Sequence, residues 1–583
     1  MLFGDNRYSR HAGQCVQSCI MKGSPLKTGY RCIFVIVFSI LLLTQPTKAD
    51  VRLPNILGDH MVLQRNKPVH FWGWSQPADT VTIRFANQVK TVSASATGVW
   101  ETELDPMDAS FTGRQLQVQG PDNQVTLQDV LVGEVWLCSG QSNMEMKLRA
   151  SRDADVEMDC ADDTALRYVR LPKTASFHAQ TDFPVTDSEG RWQTCVSRQA
   201  ENCTGVGYYF GRRLRRRLKV PVGLIDTSWG GTMAQHWVPQ DTLEPFRTMT
   251  RYFDEFKEKQ EAWIDGERET GAKQRYQADV KAWEKAKDQA QAQGKRVPGR
   301  PNQKNYANPS HQAQPGGMFN GMIAPLAGLT LRGVLFYQGE NNSFGESWKP
   351  FAQTFPAVVT SWRQAFNQAD LPFGIIQIAG WSTRRTMTYD MNHHTNVIRE
   401  LQFLTWRTTP NTGLIVTFDT NSNSSIHPGR KLPVGERSAR WALAEVYQVK
   451  RYGSNEPLEW KGPIYDSIEI QNSKIIVTFT PGTNNGLRLD KDDDRGFYIA
   501  GQDRTFVHAQ ARVIKDNRLE VFSNSVTDPV AVRYGWSNLP LGGLMNSREL
   551  PAYPFRSDTW PLIPHQSTGA YEVENTGLLD RNP

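Results

Sequence analysis

In Val135-Trp-Leu-Cys-Ser-Gly-Gln-Ser-Asn-Met144, an apolar run enters Gly140 and polar residues, and a helical pattern follows. This pattern is typical of a junction between a strand, a tight turn and a helix. Such a junction can expose a side-chain oxygen at the edge of a sheet and direct the N–H groups of the helix start at it. Ser142 is therefore a candidate nucleophile, with a helix cap as the alternative role for a serine at this position.

Similar apolar runs alternate with helical patterns between residues 131 and 452. The alternation predicts an α/β unit, in which helices cover both faces of a parallel sheet. Ligands bind such sheets beyond the carboxyl ends of the strands, so the residues that follow each run are candidates for chemistry. The five runs are residues 132–138, 222–226, 333–337, 373–378 and 414–418.

A segment at about 246–316 interrupts this unit. It is rich in Lys, Glu, Gln and Ala as far as residue 292, which predicts one or two charged helices. A tether rich in Pro, Asn and Gln follows at 298–317. We expect a solvated helical insertion, with a partner-binding arm as the alternative.

β-rich regions are predicted on both sides of the α/β unit. Residues 81–85 alternate between apolar and polar, 86–88 break the pattern and 89–95 resume it, which indicates a hairpin. Residues 50–130 are therefore predicted as a β-sandwich-like domain. Strand patterns return after residue 453 and predict a second β-rich domain over 453–565, with a tail at 566–583. Its predicted strands are 467–470, 474–479, 497–500, 519–522 and 530–534.

The net charge of +6 arises mostly at the amino terminus, where residues 1–49 hold six basic residues and one acid. A basic region, the apolar run 32–43 and Thr47-Lys48-Ala49 together predict a signal peptide at 1–49, with Met21 as a possible true start. A membrane anchor is the alternative. Cleavage after Ala49 leaves 60 basic and 59 acidic residues, a net charge of +1. We therefore expect an exported protein, periplasmic or secreted, with no nucleic-acid partner and no membrane span after cleavage.

Four cysteines follow the leader, which is too few for a scaffold that depends on disulfides. They are Cys138, Cys160, Cys195 and Cys203, and their pairing is left open. Cys138 lies at the end of a predicted strand and is expected to be a buried thiol. Because no cysteine pair has CxxC spacing and the histidines are scattered, no metal site or cofactor is predicted.

Polar residues and glycines follow two further runs. The second run ends in Ser228-Trp-Gly-Gly-Thr232, where adjacent glycines permit positive φ and the close backbone approach that an oxyanion-binding N–H requires. The third run ends in Tyr337-Gln-Gly-Glu-Asn-Asn342, which places amide and acid side chains at another strand terminus. A serine nucleophile also needs a base, and His427 follows the last run in a polar loop. His427 would accept the Ser142 proton as Oγ attacks a carbonyl.

These motifs resemble those of the sialate O-acetylesterase family of SGNH-type serine esterases. The resemblance rests on Ser139-Gly-Gln-Ser-Asn-Met144, Ser228-Trp-Gly-Gly-Thr232, Tyr337-Gln-Gly-Glu-Asn-Asn342 and Ser425-Ile-His-Pro428, in that order. It extends to residues 59–64, 206–213, 399–402 and 530–536, and so covers most of the chain apart from the insertion. It implies an SGNH-hydrolase-like (flavodoxin-like) α/β fold and the removal of O-acetyl groups from carbohydrate.

The resemblance also implies roles for single residues. Ser142 would be the nucleophile and His427 the base. The N–H groups of Ser142 and of Gly230 or Gly231 would form the oxyanion hole with one amide side chain. For that amide Gln338 is preferred, and the alternatives are Asn341 and Asn342.

One position departs from the family pattern. Many relatives carry Asp two or three residues before the histidine, where this chain has Ser425 and Ser424. Either a Ser–His dyad operates, or another acid supports His427. Asp419 is the first candidate for that acid and Glu340 the second. Loss of a triad acid slows catalysis by orders of magnitude without abolishing it.

The implied substrate is O-acetylated sialic acid, whose carboxylate requires a cation. Arg384, Arg385 and Arg399 are the candidates, and Glu340 is a further candidate for substrate binding. Acetylated xylan or another acetylated glycan is the alternative substrate. A carbohydrate-binding protein with a decayed esterase site, and a lipase or thioesterase, are the alternative functions. The oligomeric state is left open.

Three Asn-x-Ser/Thr sequons, at Asn202, Asn341 and Asn423, bear on the source of the chain. The last two lie within the proposed catalytic motifs, where a glycan would block the pocket. A bacterial source is therefore favoured over a eukaryotic one.

Overall fold

The computed structural model describes residues 50–152, 154–265, 268–295, 297–301, 312–381, 393–422, 425–490 and 493–560. Several predictions lie outside these residues: the signal peptide at 1–49, the tail at 566–583, the candidates Arg384 and Arg385, and the sequon residue Asn423 with the neighbouring Ser424. Among the described residues, no helix is long and apolar enough to cross a membrane.

The amino-terminal region consists of antiparallel strands. Strands β2 and β5 pair with each other, and β4, β3, β6 and β7 follow one another in a second sheet. Val81, Ile83 and Phe85 are buried while the residues between them are more exposed, and this alternation confirms the predicted hairpin of β3 and β4. The strands are β1 (Val62–Gln64), β2 (Val69–Trp74), β3 (Thr80–Phe85), β4 (Gln88–Ser93), β5 (Val99–Leu104), β6 (Ser110–Gln119) and β7 (Gln124–Gly140).

Strand β7 belongs to two sheets. Its first half pairs antiparallel with β6, and its second half runs parallel to strands of the central sheet. Residues 130–140 are all buried, as expected for a strand covered on both faces. The strand runs without a break through the predicted domain boundary at 130/131, and the boundary itself stays a prediction.

The central sheet has the order β13-β12-β11-β7-β10-β8-β9, in which all strands but the edge strand β9 are parallel. Because these strands are parallel, the polar residues that follow them lie at one edge of the sheet, and Ser142 lies at the same edge. The elements are α1 (Ser142–Glu145), α2 (Ala154–Asp159), β8 (Asp162–Arg170), β9 (Gln193–Val196), α3 (Ser197–Ala200), α4 (Gly205–Leu218), β10 (Val222–Asp226), α5 (Gln240–Leu243), α6 (Thr250–Asp265), α7 (Arg268–Ala292), β11 (Gly333–Tyr337), α8 (Phe351–Ala365), β12 (Phe373–Ile376), α9 (Thr395–Thr408), β13 (Thr412–Ile415) and α10 (Leu432–Trp441).

Helices cover both faces of the sheet, which confirms the α/β fold class. On one face Trp136 packs against Phe210 of α4 and Trp441 of α10, with ring centroids 4.9 and 6.0 Å away. On the other face Phe336 packs against Trp362 of α8 at 5.3 Å and Trp237 at 6.5 Å. Each face thus buries aromatic side chains, which contribute large apolar areas to the core.

Strand β8 is absent from the predicted runs, although the other five parallel strands are confirmed. It begins with two aspartates and contains Arg167 and Arg170, so its charges interrupt the apolar pattern. Both arginines are buried because they pair with acids, Arg167 with Asp129 at 2.8 Å and Arg170 with Glu189 at 3.1 Å. Because these ion pairs form only in the folded protein, the sequence pattern did not identify β8 as a strand of the core.

The insertion contains the predicted charged helices, which are α6 and α7. Most of the described side chains of α7 are exposed, in agreement with a solvated helical insertion. The four cysteines of the described chain are free thiols, and Cys138 is fully buried as predicted.

The carboxy-terminal region is β-rich, as predicted. It forms antiparallel sheets with the orders β14-β15-β20-β19 and β18-β17-β21-β23, and a short pair β16-β22. Tyr553 donates a hydrogen bond to the Leu414 carbonyl of β13, which attaches this region to the central sheet. The strands are β14 (Tyr465–Gln471), β15 (Lys474–Phe479), β16 (Arg488–Leu489), β17 (Phe497–Ala500), β18 (Phe506–His508), β19 (Gln510–Ile514), β20 (Arg518–Phe522), β21 (Ala531–Tyr534), β22 (Leu544–Met545) and β23 (Phe555–Arg556).

Candidate functional site

Ser142 follows a turn that only glycine can make. Gly140 ends β7 with φ of +124°, and a Cβ there would lie 2.1 Å from the carbonyl oxygen of Tyr337 on β11. The next N–H, that of Gln141, donates to the same carbonyl at 2.9 Å. Ser142 is the first residue of α1, and the cap position is occupied by Gln141. The helix-cap alternative for Ser142 therefore does not hold.

The side chains of Ser142 and His427 meet. The Ser142 Oγ lies 2.7 Å from the His427 Nε2, so the hydroxyl can donate to the neutral ring. Ser142 is half-buried and His427 is exposed. Partial burial and the nearby Lys431 lower the pKa of His427, whereas Glu145 raises it. The net direction keeps the ring neutral at neutral pH, as a general base requires.

Asp419 does not support His427. Its two carboxylate oxygens accept hydrogen bonds of 2.7 and 2.6 Å from the Arg437 guanidinium, a bidentate pair that satisfies the charge. Among the residues that the structure describes, no carboxylate makes a hydrogen bond or ion pair with the His427 ring. The second candidate, Glu340, is buried and accepts a hydrogen bond from Asn143 at 2.6 Å instead.

Gly230 lies beside the nucleophile, but its N–H is occupied. A Cβ at Gly230 would lie 3.1 Å from the Ser142 Cβ, and the Gly230 N–H donates to Glu145 Oε2 at 2.5 Å. Burial raises the pKa of Glu145, but hydrogen bonds from Lys173 and Gly230 outweigh it and hold the carboxyl ionised. Gly231 has φ of +78° and presents its carbonyl to Asn341. The Gly230 N–H therefore anchors the Glu145 carboxylate of α1 close to Ser142.

Gln338 is the preferred amide for the oxyanion hole, but both of its side-chain N–H groups already donate hydrogen bonds. Its Nε2 donates to Gln141 Oε1 at 2.9 Å and to the Thr232 carbonyl at 2.8 Å, and the side chain is fully buried. An amide nitrogen carries two hydrogens, so both are used within the protein. The physical role of Gln338 is to tie three strand ends together.

Asn341 and Asn342 differ in whether their side-chain amide has an N–H without a partner. The Asn342 Nδ2 donates to Gln235 Oε1 and to the Ser347 carbonyl, both at 3.1 Å, inside the core. The Asn341 Nδ2 makes one hydrogen bond, of 2.7 Å to the Gly231 carbonyl, and the side chain is half-buried. Of the three amides, Asn341 is the one whose second N–H has no partner in the described part of the chain.

A buried polar network connects the nucleophile side to the histidine loop. Asn143 donates to Glu340 Oε1 at 2.6 Å and to the Ile426 carbonyl at 3.0 Å, and its Oδ1 accepts from Lys431 Nζ at 2.6 Å. Burial raises the pKa of Glu340 to about 7 and lowers that of Lys431 to about 7. Asn143 thus holds the backbone next to His427 through groups that are fully removed from water.

Known proteins resemble this chain in sequence and in fold. Residues 132–293 and 310–439 match the family described as carbohydrate esterase, sialic acid-specific acetylesterase. The chain belongs to this family. It is a carboxylic ester hydrolase that acts on carbohydrate.

Relatives match over nearly the whole length of this esterase. Sialate O-acetylesterase of Mus musculus is 27% identical over 565 residues, covering 89% of this chain and 97% of the relative. The human sialate O-acetylesterase is 26% identical over 548 residues, covering 86% and 92%. The crystal structure of a carbohydrate acetylesterase from Xanthomonas citri superposes with a TM-score of 0.70 at 29% identity, covering 88% of this chain and all of that one.

Arg399, the one arginine candidate that the structure describes, does not lie at the surface of the esterase site. Arg399 on α9 is 1% exposed, and burial lowers its pKa to about 9. Its Nη2 donates to the Ser537 carbonyl, while Nε and Nη1 have no hydrogen-bond partner in the described chain. The structure therefore does not bring Arg399 to Ser142.

Sequence reasoning missed three residues at the esterase site: Asn143, Glu145 and Lys431. Asn143 and Glu145 follow Ser142 within α1, and Glu145 lies one turn after it, so helical spacing could have indicated that the two share a face. Lys431 lies four residues after His427, but only the fold shows that its ammonium group is buried. A buried cation is unexpected from sequence because lysine is almost never fully buried unless paired.

Proposed function

We propose that the esterase removes O-acetyl groups from carbohydrate by a Ser–His acyl-enzyme mechanism. The observation that carries the proposal is the 2.7 Å separation of Ser142 Oγ and His427 Nε2 beyond the carboxyl end of β7. A hydroxyl and a neutral imidazole at this distance are the minimal pair for nucleophilic catalysis.

In the acylation step, His427 accepts the Ser142 proton as Oγ attacks the acetyl carbonyl. The donors available for the oxyanion are the N–H groups of Ser142 and Gly231 and the second N–H of Asn341, since none of them donates a hydrogen bond within the described chain. The bond between the acetyl carbon and the sugar oxygen then breaks, and His427 returns the proton to that oxygen, which leaves as a hydroxyl. A water molecule then attacks the acetyl-enzyme while His427 accepts its proton. Acetate is released as that proton returns to the Ser142 oxygen.

Glu145 supplies the negative charge that the absent triad aspartate would supply. It raises the pKa of His427 without a hydrogen bond to the ring, and so favours the imidazolium formed during both steps. Its own ionisation is secured by Lys173 and Arg170, at 2.5 and 3.2 Å. The chain then operates as a Ser–His dyad with a nearby charge.

O-acetylated sialic acid is the proposed substrate. The family is described as sialic acid-specific, and the mouse and human relatives carry the name sialate O-acetylesterase. His427 is exposed, which suits an acetyl group presented on a sugar at the protein surface. Acetate release from O-acetylated sialosides and from acetylated xylo-oligosaccharides, measured side by side, would identify the sugar.

Export is part of the proposal. The apolar run 32–43, preceded by basic residues and followed by Thr47-Lys48-Ala49, supports cleavage of a signal peptide. Expression of the full sequence in a secreting host should yield an extracytoplasmic protein that begins near Asp50. Amino-terminal sequencing of the exported product checks this, and an intact leader would contradict it.

The mechanism is tested by Ser142→Ala on p-nitrophenyl acetate. We expect kcat to fall by about 10⁴-fold or more, because no hydroxyl remains to form the acetyl-enzyme. Ser151→Ala is the matched control, since the Ser151 hydroxyl is buried and has no hydrogen-bond partner in the described chain. Equal activity of wild type and Ser142→Ala would exclude the serine mechanism.

A further inference from the structure

A concave groove of about 880 Å³ lies beside α4 and α10. Its walls come from the last turns of α4, from α10, and from segments 443–458 and 548–550. Seven of its sixteen lining residues are basic and two are acidic. We refer to it as the basic groove.

The two acids of the basic groove neutralise only part of its positive charge. Glu436 is paired with Arg212 and Arg213, and Glu549 with Arg488 at 3.3 Å. Four basic residues of the groove make no ion pair with any residue that the structure describes. These are Arg216, Arg217, Arg440 and Lys450.

Like charges crowd one another in the groove. Arg440 is half-buried and donates from Nε to the Glu459 carbonyl. Burial lowers its pKa, and the guanidinium groups of Arg548 and Arg213 lower it further, although Glu459 raises it. An anion placed between these guanidinium groups would relieve the repulsion, and guanidinium forks bind carboxylate and sulfate groups in bidentate fashion.

The basic character is local. Residues 50–583 together carry 60 basic and 59 acidic side chains, so the groove is not part of a generally basic surface. It also contains apolar side chains, including Tyr452, which is fully exposed, and Leu432, which is 40% exposed. A ligand that combines anionic groups with the apolar faces of sugar rings fits both features.

We propose that the basic groove binds an acidic oligosaccharide, a chain bearing carboxylate or sulfate groups, that continues from the acetylated sugar at Ser142. The inference rests on the proposed function, since the occupant is the glycan that carries the ester. Leu432 lines the groove only five residues after His427, so the two Cα atoms are at most about 19 Å apart. One oligosaccharide chain can span that distance.

Binding is measured with the full chain carrying Ser142→Ala, so that no ester is hydrolysed. The probes are polygalacturonate, dextran sulfate and uncharged dextran, with single-stranded DNA as a polyanion that is not a glycan. The groove variant adds Arg216→Gln, Arg217→Gln and Lys450→Gln. The matched control adds Lys273→Gln, Lys281→Gln and Lys285→Gln, three exposed lysines of α7.

We expect an acidic polysaccharide to bind and dextran not to bind. The groove variant should lose about tenfold in affinity and the lysine control less than about twofold. The tighter of the two acidic polysaccharides identifies the anionic group. Equal losses in both variants, no binding of either acidic polysaccharide, or tighter binding of single-stranded DNA would overturn the proposal.

A second readout separates this inference from the proposed function. With Ser142 intact, the groove variant should hydrolyse p-nitrophenyl acetate at the wild-type rate, because this ester is too small to reach the groove. If wild type fails to hydrolyse the ester while the groove still binds the acidic polysaccharide, the proposed function fails and the binding site remains. If hydrolysis is normal and no acidic polysaccharide binds, the inference fails alone.

Discussion

The two halves of the proposed catalytic pair, Ser142 and His427, are held in different ways. On the nucleophile side, the buried Gln141 side chain accepts through Oε1 from Gln338 Nε2, Gly339 N and Asn341 N at 2.9 to 3.3 Å. On the base side, His427 lies on an exposed loop. The hydrogen bond from Asn143 to the Ile426 carbonyl links the described part of that loop, next to His427, to the buried network.

This difference shows that Ser142 and His427 are positioned by separate sets of contacts. Ser142 is fixed by the ends of several strands, so it can be displaced only by disturbing the sheet. His427 is fixed by a local turn, in which its N–H donates to Ser425 Oγ at 3.0 Å, and by the Asn143 contact. Changes on the base side should therefore alter catalysis more than stability, and changes within the network should alter both.

The largest expected effect is that of His427→Ala. We expect kcat on p-nitrophenyl acetate to fall by about 10⁴-fold, while the melting temperature stays close to that of wild type because the ring is exposed. Ser142→Ala combined with His427→Ala should be no slower than either single variant, since the two residues act as one unit. Steady-state kinetics and thermal unfolding check this. A multiplicative loss in the double variant would show that the two act independently.

The positions of five strands of the central sheet were predictable because their apolar runs are short and are followed by turn residues. Five of the six parallel strands and the placement of Ser142 after β7 follow from hydrophobic pattern alone. Strand β8 was not predictable, because buried Arg167 is satisfied by the Asp129 carboxylate and by the His60 carbonyl, which are both distant in sequence. Hydrophobic pattern carries no information about such pairs.

The roles of the amides could not be predicted for a related reason. Gln338 and Asn341 lie three residues apart in one polar motif, and either could donate to an oxyanion. Which one is free depends on which carbonyl faces each nitrogen across neighbouring strands. The register of β11 and β7 places Tyr337 opposite Gly140, and the Gln338 amide then reaches Gln141 and Thr232.

Asn143→Ala tests the link between the two halves. It leaves Glu340 and Lys431 buried without their shared partner, so the free energy of unfolding should fall by about 2 to 4 kcal/mol. The loss of the Ile426 contact should also lower kcat by about 10- to 100-fold, a scale typical of misplaced catalytic groups. Urea unfolding and kinetics measure both effects.

Asn123→Ala is the control for this experiment. Asn123 holds Val51 through two hydrogen bonds of 2.7 and 3.1 Å in the amino-terminal region. Its loss should lower stability and leave kcat unchanged. If Asn143→Ala behaved in the same way, the histidine loop would have to be positioned without the network.

A smaller effect is expected from Glu145→Gln, in the pH profile. Activity requires neutral His427 and falls as the pH drops through the pKa of that group. Because Glu145 raises this pKa, its neutralisation should move the acidic limb of kcat/KM to lower pH. Glu157→Gln, which removes a carboxylate paired with Arg212, should leave the limb in place. A shift of the Glu145→Gln limb to higher pH would show that Glu145 does not act on His427 through its charge.

The smallest effect on catalysis is expected from Asp419→Asn. The Asp419 carboxylate is bound by Arg437, with side-chain exposures of 28% and 16%, so its loss should lower stability by about 1 kcal/mol or less. Since Asp419 does not contact His427, kcat should stay within about twofold of wild type, whereas loss of a true triad acid lowers it by about 10⁴-fold. The two outcomes are far apart, so one kinetic measurement decides whether the exposed histidine works with Glu145 as its nearby charge or with the aspartate that precedes it in sequence.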